Sequence, residues 1–159
     1  MRRFVILAIA VTGLLAFGAT TASAAANFKS QSFSVNNQGQ LVCSFDVSGL
    51  GNVSSTQGSC TGSSAADYQC INNGGKNPAA GNKSTSTGEA GTQVTIPVHN
   101  GRAQGDITVD PAGPGTFTCP GGQTLYLVNA CYTDISLTVG GATATDAGPV
   151  CSGPIMVRQ

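Results

Sequence analysis

Apolar residues recur at every second position in several short stretches of this chain. Leu41, Cys43, Phe45 and Val47 share one face of a predicted strand, with polar residues between them at Ser44 and Asp46. Val94, Ile96 and Val98 repeat the pattern and run into Asn100-Gly101. That dipeptide tolerates positive φ at both central positions, so it predicts a tight hairpin turn, with a return strand through Gly105 to Val109 and Ile107 and Val109 inward. Phe117 and Cys119 alternate likewise. In the longest candidate strand, Leu125 to Val139, the residues Leu125, Leu127, Cys131, Ile135, Leu137 and Val139 all fall on odd positions, which predicts one continuous inward face. Pro97 donates no ladder hydrogen bond and so predicts an edge position for its strand. After residue 27 no stretch sustains apolar spacing at helical intervals, and Gly or Pro interrupts nearly every window long enough for a helix. The expected fold is all-β: a disulfide-stapled, immunoglobulin-like antiparallel β-sandwich of about seven strands.

Two segments depart from this pattern. Asn72 to Ala90 is rich in Gly, Asn, Ser, Thr and Lys with no apolar anchor beyond alanines, and reads as a long polar loop at about 72–90. At the other extreme, Phe4 to Phe17 is an apolar run behind Arg2 and Arg3, followed by Ala22-Ser23-Ala24. This is the layout of a cleavable secretion signal over residues 1–24, and the run is too short for a comfortable transmembrane helix. Residues 25–159 then form a single secreted domain. Without Arg2 and Arg3, five basic residues face seven acidic ones. Such a balance speaks against nucleic acid and anionic membranes as partners, since both call for clustered Lys and Arg. The polar surface comes instead from Ser, Thr, Asn, Gln and Gly, and the core is aliphatic, with no Trp.

All six cysteines, Cys43, Cys60, Cys70, Cys119, Cys131 and Cys151, follow the signal, so they read as structural disulfides of an exported domain. Six allow fifteen pairings, and spacing alone does not choose among them. No Cys-x-x-Cys occurs, and a single histidine leaves a zinc or redox site poorly supplied.

Several turn and cysteine motifs carry a resemblance. Gly49-Leu50-Gly51-Asn52, Cys70-Ile71-Asn72-Asn73-Gly74-Gly75 with Pro78, Asn100-Gly101-Arg102, and Cys119-Pro120-Gly121-Gly122-Gln123-Thr124-Leu125 leading into Tyr132-Thr133-Asp134 are similar to small secreted, functionally uncharacterised β-sandwich proteins of actinobacteria and filamentous fungi. The similarity spans roughly residues 30 to 140. It implies a shared fold and no particular site, because the motifs are turn and disulfide signatures. It also implies a Cys70–Cys119 pairing. Cys43, Cys60, Cys131 and Cys151 depart from the group's pattern; Cys43–Cys60 and Cys131–Cys151 are then the most local pairings for extra staples.

No catalytic, cofactor or metal constellation emerges. His99, the sole histidine, sits beside the predicted turn with neither Gly-x-Ser-x-Gly nor His-Glu-x-x-His elsewhere to complete a site. The carboxylates are Asp46, Asp67, Glu89, Asp106, Asp110, Asp134 and Asp146. A glycosidase needs two of these across a cleft, which this pattern does not locate. Asp106 and Asp110 flank Ile107-Thr108-Val109 as a weak calcium candidate without an Asp-x-Asp-x-Asp-Gly loop. Gly75 to Ser84 echoes a phosphate loop, but Asn82 stands where Lys should follow Gly, and nothing helical follows. Asn52 and Asn82 head glycosylation sequons.

The function expected is therefore a secreted, non-enzymatic extracellular binding or surface-associated structural protein, without cofactor, facing an extracellular protein or surface component. The alternatives are a secreted antagonist (an enzyme inhibitor or antimicrobial protein, with the long loop as its reactive element), a small-ligand carrier, and an enzyme whose carboxylates are not apparent. The signal reading has a direct check. The exported protein should begin at Ala25 or within about two residues of it, as intact mass would show. A secreted chain still carrying Phe4 to Phe17 would overturn the reading.

Overall fold

The computed structural model describes residues 25–72 and 82–159. The secretion signal expected over residues 1–24 lies outside them. Nine strands follow in chain order: β1 (Asn27–Val35), β2 (Leu41–Ser48), β3 (Ser55–Asn72), β4 (Lys83–Pro97), β5 (Arg102–Val109), β6 (Gln123–Val139), β7 (Ala142–Asp146), β8 (Val150–Cys151) and β9 (Val157–Arg158). They form two antiparallel sheets. One has the order β1-β2-β5; the other runs β4-β3-β6, with β7, β8 and β9 lying in turn along the far edge of β6. The nine strands thus occupy seven ladder positions, because the last three are pieces of one interrupted edge.

The sheets pack face to face as a sandwich. Leu41, Cys43, Phe45 and Val47 point inward from β2, as their alternation requires, against Cys60, Ile96, Ile135, Leu137 and Val139 of the larger sheet. Cys43 and Cys60, both fully buried, form a disulfide that ties β2 to β3 across this core. A second pair, Cys131–Cys151, joins β6 to β8 within the larger sheet. The third, Cys70–Cys119, anchors the segment after β5 to the end of β3. In the chain-entropy account, closing loops of these lengths contributes about 3 to 4 kcal/mol each.

Four sequence expectations need correction. The polar loop placed over 72–90 is overturned at Lys83 to Ala90, which belong to β4, paired residue for residue with β3 from Gln69 to Gly62, and at Asn72, the last residue of β3; residues 73–81 lie outside the described residues. Their Ser and Thr residues are at home in an edge strand whose faces are largely polar, where no apolar alternation is required. Replacing Gly75 to Glu89 with a linker would therefore remove half of a strand. Secondly, β5 does not pair with β4 beyond the turn. Asn100 (φ +52°) and Gly101 (φ +71°) make the tight turn, and His99 bridges Arg102. β5 then crosses to the smaller sheet and pairs with β2 from Ser48 to Leu41. Thirdly, Phe117 and Cys119 lie in no strand. Phe117 packs beside Ala66, Tyr68 and Leu127 in a satellite cluster.

The fourth correction concerns β6. Its inward face changes parity twice. Leu127 is inward, then Ala130 and Tyr132, then Ile135, Leu137 and Val139. Each change coincides with an extra residue against the straight partner β3. Val128 has no partner between the pairs Tyr68↔Leu127 and Asp67↔Asn129, and Asp134-Ile135 face the single Gly62 between Ser63↔Thr133 and Thr61↔Ser136. Asp134 takes φ +52° at the second bulge. A bulge inserts one residue and so moves every later side chain to the other face. Cys131 is consequently turned outward, where it meets Cys151 of β8.

The middle of the sandwich is polar at one point. Tyr132 is fully buried, and its hydroxyl shares its one proton between the carbonyl oxygens of Gly39 (3.0 Å) and Val109 (3.2 Å). Burial pushes its pKa from 10.0 up to about 12. A raised tyrosine pKa means the folded state holds the proton longer than the unfolded chain. Its stabilising contribution is complete below pH 10 and declines between pH 10 and about 12. Tyr132→Phe should cost about 1 to 2 kcal/mol at neutral pH, the worth of the buried hydroxyl's bonds. Denaturant melts from pH 8 upward should show the wild-type advantage shrinking above pH 10; a constant gap would refute the burial argument.

Candidate functional site

Alternation on β3 puts its even residues inward without a break, Gly58 through Cys70, and its odd residues outward. The outward row is Ser55, Gln57, Ser59, Thr61, Ser63, Ala65, Asp67 and Gln69. Register places Thr95, Gln93, Glu89, Thr87 and Thr85 of β4 beside it on one flank, and Thr138, Ser136, Thr133 and Asn129 of β6 on the other. The outer face of the larger sheet is therefore an array of hydroxyl, amide and a few carboxyl groups. Cross-strand bonds tie the array down: Gln57 Nε2 donates to Thr95 Oγ1 (3.1 Å), Ser63 Oγ to Glu89 Oε1 (2.8 Å), and the hydroxyls of Thr138 and Thr143 share a bond of 3.0 Å.

At one end this face dips into an open groove of about 550 Å³. The groove crosses four neighbours in order: Lys83 and Thr85 on β4, Asp67 and Gln69 on β3, Val128 and Asn129 at the β6 bulge, and Gly153-Pro154-Ile155 beyond β8. Asp67 is its hub. Its carboxylate accepts from Thr85 Oγ1 (2.6 Å) and from Asn129 Nδ2 (3.1 Å). Ser152 Oγ accepts from the backbone N–H of Ala130 (3.1 Å) and donates its one proton to the carbonyl oxygen of Gly153 (2.7 Å), leaving Asn129 Oδ1 3.4 Å away. The hydroxyl of Thr85, the carboxylate of Asp67 and the amide of Asn129 thus run in one chain across β4, β3 and β6. Such a chain holds polar groups in fixed positions, with acceptor capacity left on Asp67 for a hydroxyl or amide donor. Val128 and Pro154 also line the groove, whereas the Ile155 side chain packs inward beside Ala66, Tyr68 and Leu127.

The residues singled out by sequence are distributed widely. His99 is exposed beside the turn, and only its backbone bonds to Arg102. Asp46 on β2 is held by Arg102, whose Nε donates to Asp46 Oδ1 at 2.7 Å while Nη2 meets Oδ2; this bidentate bond lowers the Asp46 pKa. Asp106 faces out of the smaller sheet beside Ser44 in register, lining a smaller groove, whereas Asp110 accepts from Gln40 Nε2 (2.7 Å) past the end of β5. The two do not share a site. Asp134 sits in the β6 bulge, and Asp146 accepts from the backbone N–H of Gly148 (2.8 Å). Among the described residues, no three of His, Cys, Asp and Glu converge as metal ligands. Among the same residues no helix is long and apolar enough to cross a membrane, and all six cysteines are paired.

Asp67 stood in the sequence only as one of seven carboxylates, while Thr85 and Asn129 carried no motif: β3 and the first half of β4 show no apolar alternation, and nothing marks the bulge beside Asn129. The one signal was Asp67 amid small residues, seven positions after Cys60. Comparison with known proteins adds no relative: no family model, no curated protein and no solved structure matches this chain.

Proposed function

We infer that this is a secreted, non-enzymatic binding domain of the extracellular space, and that its recognition surface is the outer face of the larger sheet around the Asp67 groove. One observation carries the reading: a hydrogen-bonded network running from Thr85 through Asp67 to Asn129 lines an open groove on a broad polar face. Pre-positioned donors and acceptors favour recognition of a polar partner, an extracellular protein or surface component, because little side-chain entropy remains to be lost on binding. Three disulfides suit an oxidising compartment. The secretion signal, the resemblance to small secreted proteins and an immunoglobulin-like strand arrangement belong to the same proposal.

The test is capture of partners by the mature protein from its native medium and cell surface, run beside the double variant Asp67→Ala/Asn129→Ala. The variant should stay folded, since both side chains lie on the outer face, and should bind at least about tenfold more weakly, the loss of one or two hydrogen bonds to a charged group. Binding that survives the double change intact would place recognition elsewhere. Catalytic turnover abolished by a single carboxylate change would replace this reading with an enzymatic one.

A further inference from the structure

β4 is the end strand of the larger sheet, and its second edge carries an open row of main-chain groups. Which residues own that row follows from the ladder. Val98 N–H donates to Ser54 C=O on the β3 side (2.9 Å), whereas His99 exchanges both of its main-chain bonds with Arg102 on the opposite side. Donor direction alternates along an antiparallel strand, and the β3–β4 register runs without a shift from Ser55↔Pro97 to Gln69↔Lys83. The odd residues of β4, among them Lys83, Thr85, Thr87 and Glu89, therefore aim N–H and C=O at the open edge. Pro97 is odd too, so the proline that lacks an N–H faces outward at the end nearest the turn, where it costs the β3 ladder nothing. Beyond Arg102, β5 leaves for the smaller sheet. Among the described residues, no other strand pairs along this edge.

Long unpaired edges attract further strands unless they are guarded. Here Pro97 guards one end only. The other half, Lys83 to Glu89, has small side chains and just two charges, one at each limit. Those charges are self-complementary. If two copies of this edge run antiparallel about a two-fold axis at Ser86, Lys83 of each copy falls opposite Glu89 of the other, and Thr85 opposite Thr87. Both residues of each pair lie on the outer face, since all four positions are odd. The shared parity also satisfies the hydrogen-bond phase, because residues with free N–H and C=O meet residues of the same kind. Opposite-charge and Thr–Thr cross-strand pairs are both favourable neighbours. A register centred farther along β4 would bring Pro97 into the ladder and separate the charges.

We propose that the Lys83–Glu89 edge of β4 is a homodimer interface in which two larger sheets join through a two-fold at Ser86. The axis stands normal to the sheet, so the joined sheet presents both Asp67 grooves on one side.

Sedimentation equilibrium of the mature wild-type protein should show a concentration-dependent monomer–dimer balance. Lys83→Glu places four acidic groups at the interface and Glu89→Lys four basic ones; each should raise the dimer dissociation constant about tenfold. Mixing these two variants restores both opposite-charge pairs, so the mixture should form a heterodimer with near wild-type affinity. Thr87→Pro removes an outward N–H without touching the β3 ladder, and should abolish the dimer while the circular-dichroism spectrum is retained. A wild-type protein that stays monomeric at every soluble concentration overturns the proposal. So does a dimer indifferent to Thr87→Pro, or one in which the mixed charge variants associate no better than each alone.

Discussion

The inward face of β3 has to be small from Gly58 to Ala66. This strand lies between β4 and β6 and beneath the β2–β5 half of the smaller sheet, where large aliphatic side chains converge from both sides. A Cβ on Gly58 would run into Ile96 Cδ1 and approach Ile107 Cδ1 to 3.1 Å. Farther along, Ser64, only 3% exposed, lends its Oγ to the backbone N–H of Ala112 (3.0 Å), while the hydroxyl of Tyr68 donates to the carbonyl of the same residue (2.8 Å). The segment after β5 is thus seated on β3 by one residue gripped at both main-chain groups, and the Cys70–Cys119 bond secures it again. Larger residues at these positions would push the sheets apart, since close-packed interiors yield little before strain appears.

β6 accommodates what β3 keeps rigid. An unbroken alternation on β3 demands that its partner present the right residue at each level, and the two bulges on β6 achieve this by changing which parity points inward. The first lies beside the groove at Val128 and Asn129, so the irregularity that fits Tyr132 into the core also shapes the outer surface on which Asp67 and Asn129 meet. Bulges are concentrated where a sheet must re-aim a side chain. Core packing and the candidate site are coupled through this single extra residue.

Much of the architecture was legible in the chain for a clear reason. Leu41 to Val47, Val94 to Val98 and Asn100-Gly101 have one apolar and one polar face, or an unambiguous turn chemistry, and the structure places them accordingly. The strand character of Leu125 to Val139 was legible too, but its face was not, because nothing about Val128 distinguishes a bulged residue from a paired one. β3 was hidden by the smallness its surroundings require: Gly58, Gly62, Ser64 and Ala66 resemble a linker when read without their neighbours. Lys83 to Ala90 was hidden by the opposite circumstance, an edge with little to bury. The groove inherits both concealments, since Asp67 comes from one of these strands and Thr85 and Lys83 from the other.

The same smallness bears on how the chain is assembled. β3 and β4 are adjacent in sequence and can pair early, whereas the partner on the other side of β3 reaches from Gly58 to Val139 and must wait for a much longer loop to close. During that wait a hairpin rich in leucine or isoleucine would be an adhesive surface in a crowded compartment. This one offers Gly, Ser, Ala and Thr over the middle of both faces, with Val94 and Ile96 at one end and Tyr68 and Ile71 at the other. Its middle exposes little that would adhere, and the chain places most of its heavier apolar residues on β2, β5 and β6, the strands that complete the sandwich around it.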